Sequence, residues 1–154
     1  MTAPSAYLDA LRMLARRELS EAQIRQRLAR RGHDARAIDD AVRRLKDERA
    51  LDDTRVAEAI ARLETSVRRH GRLRVRRAIE QAGIDRATAR RAVDGAFANL
   101  DPDTLVEEAL ARRLRGTDRV ADDREAARLY RYLVSQGFES DRALRAIDAR
   151  RKRR

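Results

Sequence analysis

Adjacent acidic residues are the groups in this sequence whose type and spacing come nearest to enzyme chemistry. Paired carboxylates can hold the metal ions of phosphoryl-transfer enzymes, and the pairs are Asp39-Asp40, Asp52-Asp53, Glu107-Glu108 and Asp122-Asp123. Two pairs stand where a helix is predicted to begin, and two fall within predicted helices. The sequence has no glycine-rich phosphate loop and no evident nucleophile–base pair. We therefore expect a protein that is not an enzyme, with Asp52 and Asp122 as helix N-caps.

The two histidines and the absence of cysteine bear on metal and cofactor sites. His33 and His70 each flank a glycine that is predicted to end or break a helix, and neither belongs to a recognisable ligand motif. With no cysteine in the chain, disulfides and thiolate metal sites are excluded. We expect both histidines to be surface loop residues, and we expect no metal and no cofactor.

Arginine dominates residues 68–77, the densest basic segment of the chain. This segment has no acidic residue, and we name its six arginines the arginine strip: Arg68, Arg69, Arg72, Arg74, Arg76 and Arg77. If Val75 and Ile79 face the core, helical geometry places these arginines on the flanks of one helix. Two interpretations stay open, a contact surface for phosphates or an acidic protein, and a solvated helix without a binding role.

A second basic run ends the chain at residues 150–154 and contains Arg150, Arg151, Lys152, Arg153 and Arg154. Like-charge blocks of this kind fray and bind polyanions non-specifically, although a role in solubility is an equal alternative. The net charge of the whole chain is +11, which favours a polyanionic or acidic partner. We expect the arginine strip and residues 150–152 to form the contact surface.

The helices that must position these residues are indicated by a sequence pattern that occurs three times. Two apolar residues four positions apart are followed, four positions later, by glycine: Ile24, Leu28 and Gly32; Val75, Ile79 and Gly83; Leu129, Leu133 and Gly137. Four-residue spacing stacks side chains on one helical face, and glycine just past that face is a C-terminal helix signal. No segment alternates with a period of two, so we expect no strands.

The chain is therefore predicted to be all-α, with three tandem three-helix repeats at residues 1–50, 51–100 and 101–149 and a basic tail at 150–154. Predicted N-caps include Ser20, Asp34, Asp52, Asp85 and Asp101. The aromatic content of 3% implies a thin aliphatic core and hence an elongated stack whose neighbouring repeats share core.

Apolar stripes predict which side chains of these helices face inward. The stripe of the first helix is Leu8, Leu11 and Leu14, with Ala15. That of the fourth is Val56, Ile60, Leu63 and Val67, and that of the last, from about Asp141, contains Leu144 and Ile147. No apolar stretch approaches the length of a membrane span, and the N-terminus lacks a signal-peptide pattern. We expect a soluble, cytoplasmic protein.

In the order of its motifs, from about Leu11 to Ile147, the chain resembles the RecX family of bacterial recombination regulators. The most specific part is the opening Leu51-Asp52-Asp53, followed by Gly71-Arg72-Leu73-Arg74-Val75 and by Ile79 with Gly83-Ile84. Arg31-Gly32 and Gly137-Phe138 also fit. Val56 departs from the family pattern, which often has an aromatic residue after the Asp-Asp pair.

The resemblance implies a curved array of three-helix repeats that lies in the groove of the RecA–DNA filament. It also implies a non-enzymatic inhibitor of RecA ATP hydrolysis, strand exchange and co-protease activity, which modulates DNA repair, recombination and the SOS response. The implied partners are the RecA filament and, through weak non-specific contacts, its single-stranded DNA. We expect a monomer. The alternative is a basic helical protein that binds DNA directly, as a regulator or an architectural protein.

Overall fold

The structure is a computed structural model that describes residues 5–152, and the regular structure within this range is entirely helical. The helices are α1 Ala6–Leu14, α2 Glu21–Arg30, α3 Ala35–Asp47, α4 Asp53–Arg62, α5 Arg72–Gln81, α6 Arg86–Phe97, α7 Pro102–Leu114, α8 Asp123–Ser135 and α9 Ser140–Arg151, with a π-helical segment, Leu63–Val67, directly after α4. The prediction of an all-α chain built from three-helix groups is confirmed. Among these helices none has both the length and the apolar character to cross a membrane.

The three repeat glycines take the backbone conformation that the sequence pattern predicts. Gly32, Gly83 and Gly137 have φ angles of 88°, 80° and 96°, the left-handed region that glycine enters without steric cost. The apolar residues that precede them are buried: Ile24, Leu28, Val75, Ile79 and Leu133 are fully buried, and Leu129 is 5% exposed. The second helix of each three-helix group therefore places its apolar stripe in the core.

By its contacts the chain divides into two compact units. The first unit takes the chain up to Ile60 together with Ala78–Ala92, and the second takes Ala61–Arg77 together with the chain from Val93 onward. The core of the first unit is built on α1, α2 and α3 with Leu51. That of the second is built on α7, α8 and α9 with Val120 and Phe138. Because both units draw on α4, α5 and α6, the repeat boundaries at residues 50, 100 and 149 remain a proposal.

Helix α1 is rotated relative to the stripe that the sequence suggested. Leu8, at 48% exposed, and Ala15 lie outside, so the prediction was wrong for them, whereas Leu11 and Leu14 are partly buried and pack against the core of the first unit. The buried residues are Ala6, Asp9, Ala10 and Met13. Ala10 is fully buried, and the Asp9 carboxylate can enter the interior because it is hydrogen-bonded to His33 and paired with two arginines.

The predicted stripe of α4 fails at the π-helical segment. Val56 is buried, but Leu63 and Val67 are 46% and 72% exposed, while Glu64 is only 5% exposed. A π-helical turn places an extra residue between hydrogen-bonded partners and so shifts the register of the side chains that follow. In the last helix Ile147 is buried as predicted, whereas Leu144 is 46% exposed.

Candidate functional site

The Asp52-Asp53 pair joins the beginning of α4 to the beginning of α2. The Asp52 carboxylate accepts hydrogen bonds from the amides of Thr54 at 2.9 Å and Arg55 at 3.3 Å, which is N-cap geometry. The Asp53 carboxylate accepts from the Glu21 amide at 2.8 Å. Burial raises the pKa of Asp53 above its ordinary value. Both carboxylates thus satisfy amides at helix N-termini, which is a structural task.

Ser20 is the N-cap of α2 and lies buried in the first unit. It is fully buried, its hydroxyl oxygen accepts from the Gln23 amide at 3.1 Å, and the Gln23 side chain accepts from the Ser20 amide at 3.0 Å. The Ser20 hydroxyl also donates to the carbonyl of Ala82. The other cap carboxylates accept amide hydrogen bonds at 2.8–2.9 Å: Asp34 from Ala37, Asp85 from Thr88, Asp101 from Thr104 and Asp122 from Glu125.

Both histidines lie in loops, as expected, but they pair with buried carboxylates, and the expectation that they lie at the surface was wrong. The His33 Nε2 atom lies 2.8 Å from Asp9 Oδ2, and the side chain of His33 is 15% exposed. The His70 Nδ1 atom lies 2.5 Å from Glu64 Oε2, and the side chain of His70 is 10% exposed. Sequence spacing could not reveal these pairs. Asp9 lies on α1, 24 positions before His33, and Glu64 lies in a π-helical segment that the sequence pattern does not predict.

The electrostatic consequence is clearest at Asp9. The hydrogen bond from His33, together with the positive charges of Arg31 and Arg12, holds the pKa of Asp9 below its ordinary value, against the opposing effect of burial. Within residues 5–152 the histidines and carboxylates form no cluster of three or more that could hold a metal ion.

The arginine strip begins with two residues that have carboxylate partners. The Arg68 guanidinium lies 2.7 Å from Glu64, and that of Arg69 lies 3.9 Å from Glu108 of α7. Arg69 also has a φ of 55°, in the left-handed region. The segment is free of acid in the sequence, but the fold brings acidic residues from elsewhere to it.

Along α5 the strip divides into inward-turned and exposed members. Arg72 pairs with Asp94 and lies 5.5 Å from the ring centre of Phe97. Arg74 donates to the Ser135 carbonyl at 3.0 Å. Arg76 and Arg77 are exposed beside the buried Val75 and Ile79. The outward charge of α5 is therefore concentrated at Arg76 and Arg77.

Arg150 corrects the expectation of a frayed basic tail. Helix α9 continues to Arg151, and the side chain of Arg150, 7% exposed, lies 3.0 Å from Glu107 and 3.2 Å from Asp118. Arg151 pairs with Asp123, and Lys152 is exposed. The last two residues of the basic run, Arg153 and Arg154, lie outside the described residues.

A further group of arginines, which sequence reasoning did not single out, lines a cleft in the first unit. They lie at and beyond the C-terminal ends of α1 and α2: Arg12, Arg16, Arg17, Arg27, Arg30 and Arg31. The sequence signal was two arginine doublets, at 16–17 and 30–31, each placed where a helix ends. Only the packing of α1 against α2 shows that the doublets share a cleft.

The fold of this chain resembles those of two solved structures. A crystal structure described as regulatory protein RecX has a TM-score of 0.73 with this chain, at 21% identity, covering 94% of this chain and 70% of that one. The crystal structure of RecX from Lactobacillus salivarius has a TM-score of 0.72 at 19% identity, covering 94% and 93%. At these identities the likeness shows a shared all-helical fold.

Sequence comparison is more specific. Residues 6–45 match the family model described as RecX, first three-helix domain. The regulatory protein RecX of Chromohalobacter salexigens is 36% identical over 139 residues, covering 90% of this chain and 88% of the relative. That of Halorhodospira halophila is 34% identical over 141 residues, covering 91% and 84%. The chain belongs to the RecX family of regulatory proteins.

Proposed function

We propose that this protein binds the RecA–DNA filament and inhibits the recombinase, ATPase and co-protease activities of RecA, and that it thereby modulates DNA repair and recombination. The observation that carries the proposal is the 36% identity to a curated regulatory protein RecX over 90% of this chain. The proposed regulator acts by binding and is not an enzyme. We propose that it does so as a cytoplasmic monomer built from three repeats.

The charge of the chain supports a filament as target. A net charge of +11 is attracted to DNA phosphates and to acidic protein surfaces. The proposed contact residues are the arginine strip with Arg151 and Lys152, and within the strip the exposed Arg76 and Arg77 come first. Arg72, Arg74 and Arg150 are secondary contacts, since they are less exposed than Arg76 and Arg77.

The test is the ATPase activity of RecA on single-stranded DNA, with this protein titrated in and RecA taken from the same organism. We expect inhibition that saturates at a defined ratio of this protein to RecA. Excess single-stranded DNA serves as the control, because a protein that only sequesters DNA is relieved in proportion to the DNA added. Full ATPase activity at saturating amounts of this protein would overturn the proposal.

A second candidate function is direct DNA binding by a regulator or an architectural protein. The observation that favours it is the combination of three-helix groups with a strongly basic composition. A salt series with naked DNA separates the two functions. Sequence-selective binding that persists near physiological salt supports direct DNA binding, whereas weak binding that falls steeply with salt supports the filament as target.

A further inference from the structure

The cleft between the C-terminal ends of α1 and α2 has an unusual concentration of positive charge. It has a volume of about 380 Å³, and six arginines line it: Arg12, Arg16, Arg17, Arg27, Arg30 and Arg31. Met13 is the apolar residue of the lining. The cleft belongs to the first unit, whereas the arginine strip belongs to the second.

The fold itself neutralises only part of this charge. Asp9, 5% exposed at its side chain, accepts contacts from Arg31 at 3.2 Å, Arg12 at 3.5 Å and His33 at 2.8 Å. Across the part of the chain that the structure describes, Arg16, Arg17, Arg27 and Arg30 make no ion pair and no side-chain hydrogen bond. Four guanidinium groups around one cleft are thus left with their full donor capacity.

Helix stabilisation does not explain the presence of all four of these arginines. Cations in the last turn of a helix interact favourably with its dipole, which explains Arg27 and Arg30 of α2. Arg16 and Arg17 lie beyond the C-cap of α1 and are exposed, so a role in the last turn of a helix does not explain them. Like charges that share a cleft repel one another, and an anionic ligand removes that repulsion.

We propose that this cleft binds the phosphodiester backbone of a nucleic acid, as a contact site in the first unit. Guanidinium groups grip phosphate oxygens in a bidentate manner, and several donors around an open cleft suit consecutive phosphates. Among residues 5–152, none that lines the cleft is an aromatic residue able to stack a base, or an Asn or Gln able to read one, so we expect binding that is independent of base sequence. An acidic protein fits less well, because one methionine provides little of the apolar centre that protein interfaces use.

This inference rests on the DNA-binding part of the proposed function, but its test needs no RecA. Binding of a fluorescein-labelled 20-nucleotide oligo(dT) is measured by anisotropy from 0.02 to 0.3 M salt for wild type and for Arg16→Gln/Arg27→Gln. Each phosphate contact to a single strand contributes about 0.7 to the slope of log K against log salt. The double variant is expected to lower that slope by about 1.4 and to bind about 25-fold more weakly at 0.1 M salt.

The matched control is Arg36→Gln/Arg86→Gln, which removes the same charge from two exposed arginines of the first unit that lie outside the cleft. We expect its salt slope to stay within 0.3 of wild type, an allowance of about half a phosphate contact. Arg16→Lys/Arg27→Lys keeps the charge and should keep the slope, and circular dichroism verifies the fold of every variant.

Three results would overturn the proposal. If the cleft and control variants lose the same affinity for oligo(dT) and the same salt slope, DNA binding depends only on net charge. If inorganic phosphate at matched ionic strength competes as effectively as unlabelled oligo(dT), the cleft is a site for single phosphate groups. Unchanged DNA binding with weakened binding to the RecA filament means an acidic protein contact. Because the readout is free DNA, a failure of RecA inhibition leaves the result on the cleft interpretable.

Discussion

Gly71 and Gly137 lie backbone against backbone at the point where α5 begins and α8 has ended. The Gly71 amide donates to the neighbouring Gln136 carbonyl at 2.8 Å, and the Leu73 amide donates to the Gly137 carbonyl at 3.1 Å. The first unit has a related contact, where the Ser20 hydroxyl donates to the Ala82 carbonyl beside Gly83. In each unit, therefore, the start of the second helix of one three-helix group contacts the glycine turn that ends the second helix of another group: α5 contacts the turn after α8, and α2 contacts the turn after α5.

Replacing Gly71 by alanine should destabilise the protein. A Cβ atom at this position would lie 2.6 Å from the carbonyl carbon and oxygen of Gly137, so the two backbones must separate. We expect a loss of about 1–3 kcal/mol in the free energy of unfolding, as for other overpacked sites, measured by urea denaturation.

Gly95→Ala is the matched control for that substitution. Gly95 lies inside α6, and a Cβ atom there would have no atom of another described element within 4 Å. Alanine in a helix interior should therefore stabilise the protein by about 0.4–1 kcal/mol. Similar effects of the two substitutions would contradict the close approach of Gly71 to Gly137.

Asp53 should be required for stability as a hydrogen-bond acceptor and not as a charge. Asp53→Leu removes the acceptor of the Glu21 amide, and an unsatisfied amide at this partly buried site should cost about 1–3 kcal/mol of unfolding free energy. Asp53→Asn keeps an acceptor oxygen and should retain most of the stability. A folded Asp53→Asn protein that no longer inhibits the RecA ATPase would show that the carboxylate has a functional role.

Local signals explain which parts of the fold were predictable. Helix caps and C-terminal glycines depend on residues within four positions of one another, and Ser20 and Gly137 take the conformations that such signals indicate. The face that α1 presents depends instead on α3 and on the loop that contains His33. Asp9 is buried there in a hydrogen bond with a histidine 24 positions away, a relationship that periodicity does not contain.

The candidate site was less predictable than the fold for the same reason. The absence of acid within residues 68–77 suggested free positive charge, but Glu64, Asp94 and Glu108 approach the strip from outside that window. Conversely, the sequence around the arginine doublet at 16–17 does not indicate a cleft, because the cleft forms only where α1 packs against α2. Net charge along a sequence window therefore does not give the charge that the folded surface presents.

Acid should destabilise the wild-type protein partly through Asp9. Its pKa is lowered in the folded state, so its contribution to stability is present above the ordinary aspartate pKa and is lost as the pH falls through the folded pKa. Asp9→Asn should therefore be less stable than wild type at pH 7, with the difference shrinking toward pH 3. Unfolding by urea at a series of pH values measures this, and a difference that does not depend on pH would contradict it.

Reversing Arg76 and Arg77 should weaken inhibition of the RecA ATPase. These two arginines are the more exposed members of the strip on α5, whereas Arg72 and Arg74 are only partly exposed. For Arg76→Glu/Arg77→Glu we expect the half-inhibitory concentration to rise on the order of tenfold, with helicity retained, since charged contacts of this kind each contribute strongly at low salt.

Arg36→Glu/Arg86→Glu provides the same change in net charge on other exposed helix positions of the chain. An equal rise in the half-inhibitory concentration for this control would mean that the strip has no specific role. Unchanged inhibition by the Arg76 and Arg77 variant would mean that α5 presents only a solvated face to the filament.

Arg150 should contribute to stability, whereas Lys152 should not. The Arg150 guanidinium connects α9 to Glu107 of α7 and to Asp118 in the loop before α8, and the Arg150 backbone carbonyl accepts from the Val120 amide at 3.4 Å. Arg150→Ala loses these ion pairs and the packing of the side-chain stem, but its carboxylate partners remain in contact with water. We therefore expect a loss of about 1–2 kcal/mol, less than for a fully buried pair.

Lys152→Ala removes one exposed charge from the same basic run and should leave the melting temperature unchanged. Thermal unfolding followed by circular dichroism compares the two variants at equal net charge. If both melt like wild type, Arg150 belongs with the surface charges of the run. If Arg150→Ala alone melts lower, the run is divided: Arg150 stabilises the second unit, whereas Arg151 and Lys152 are exposed and available to a polyanion.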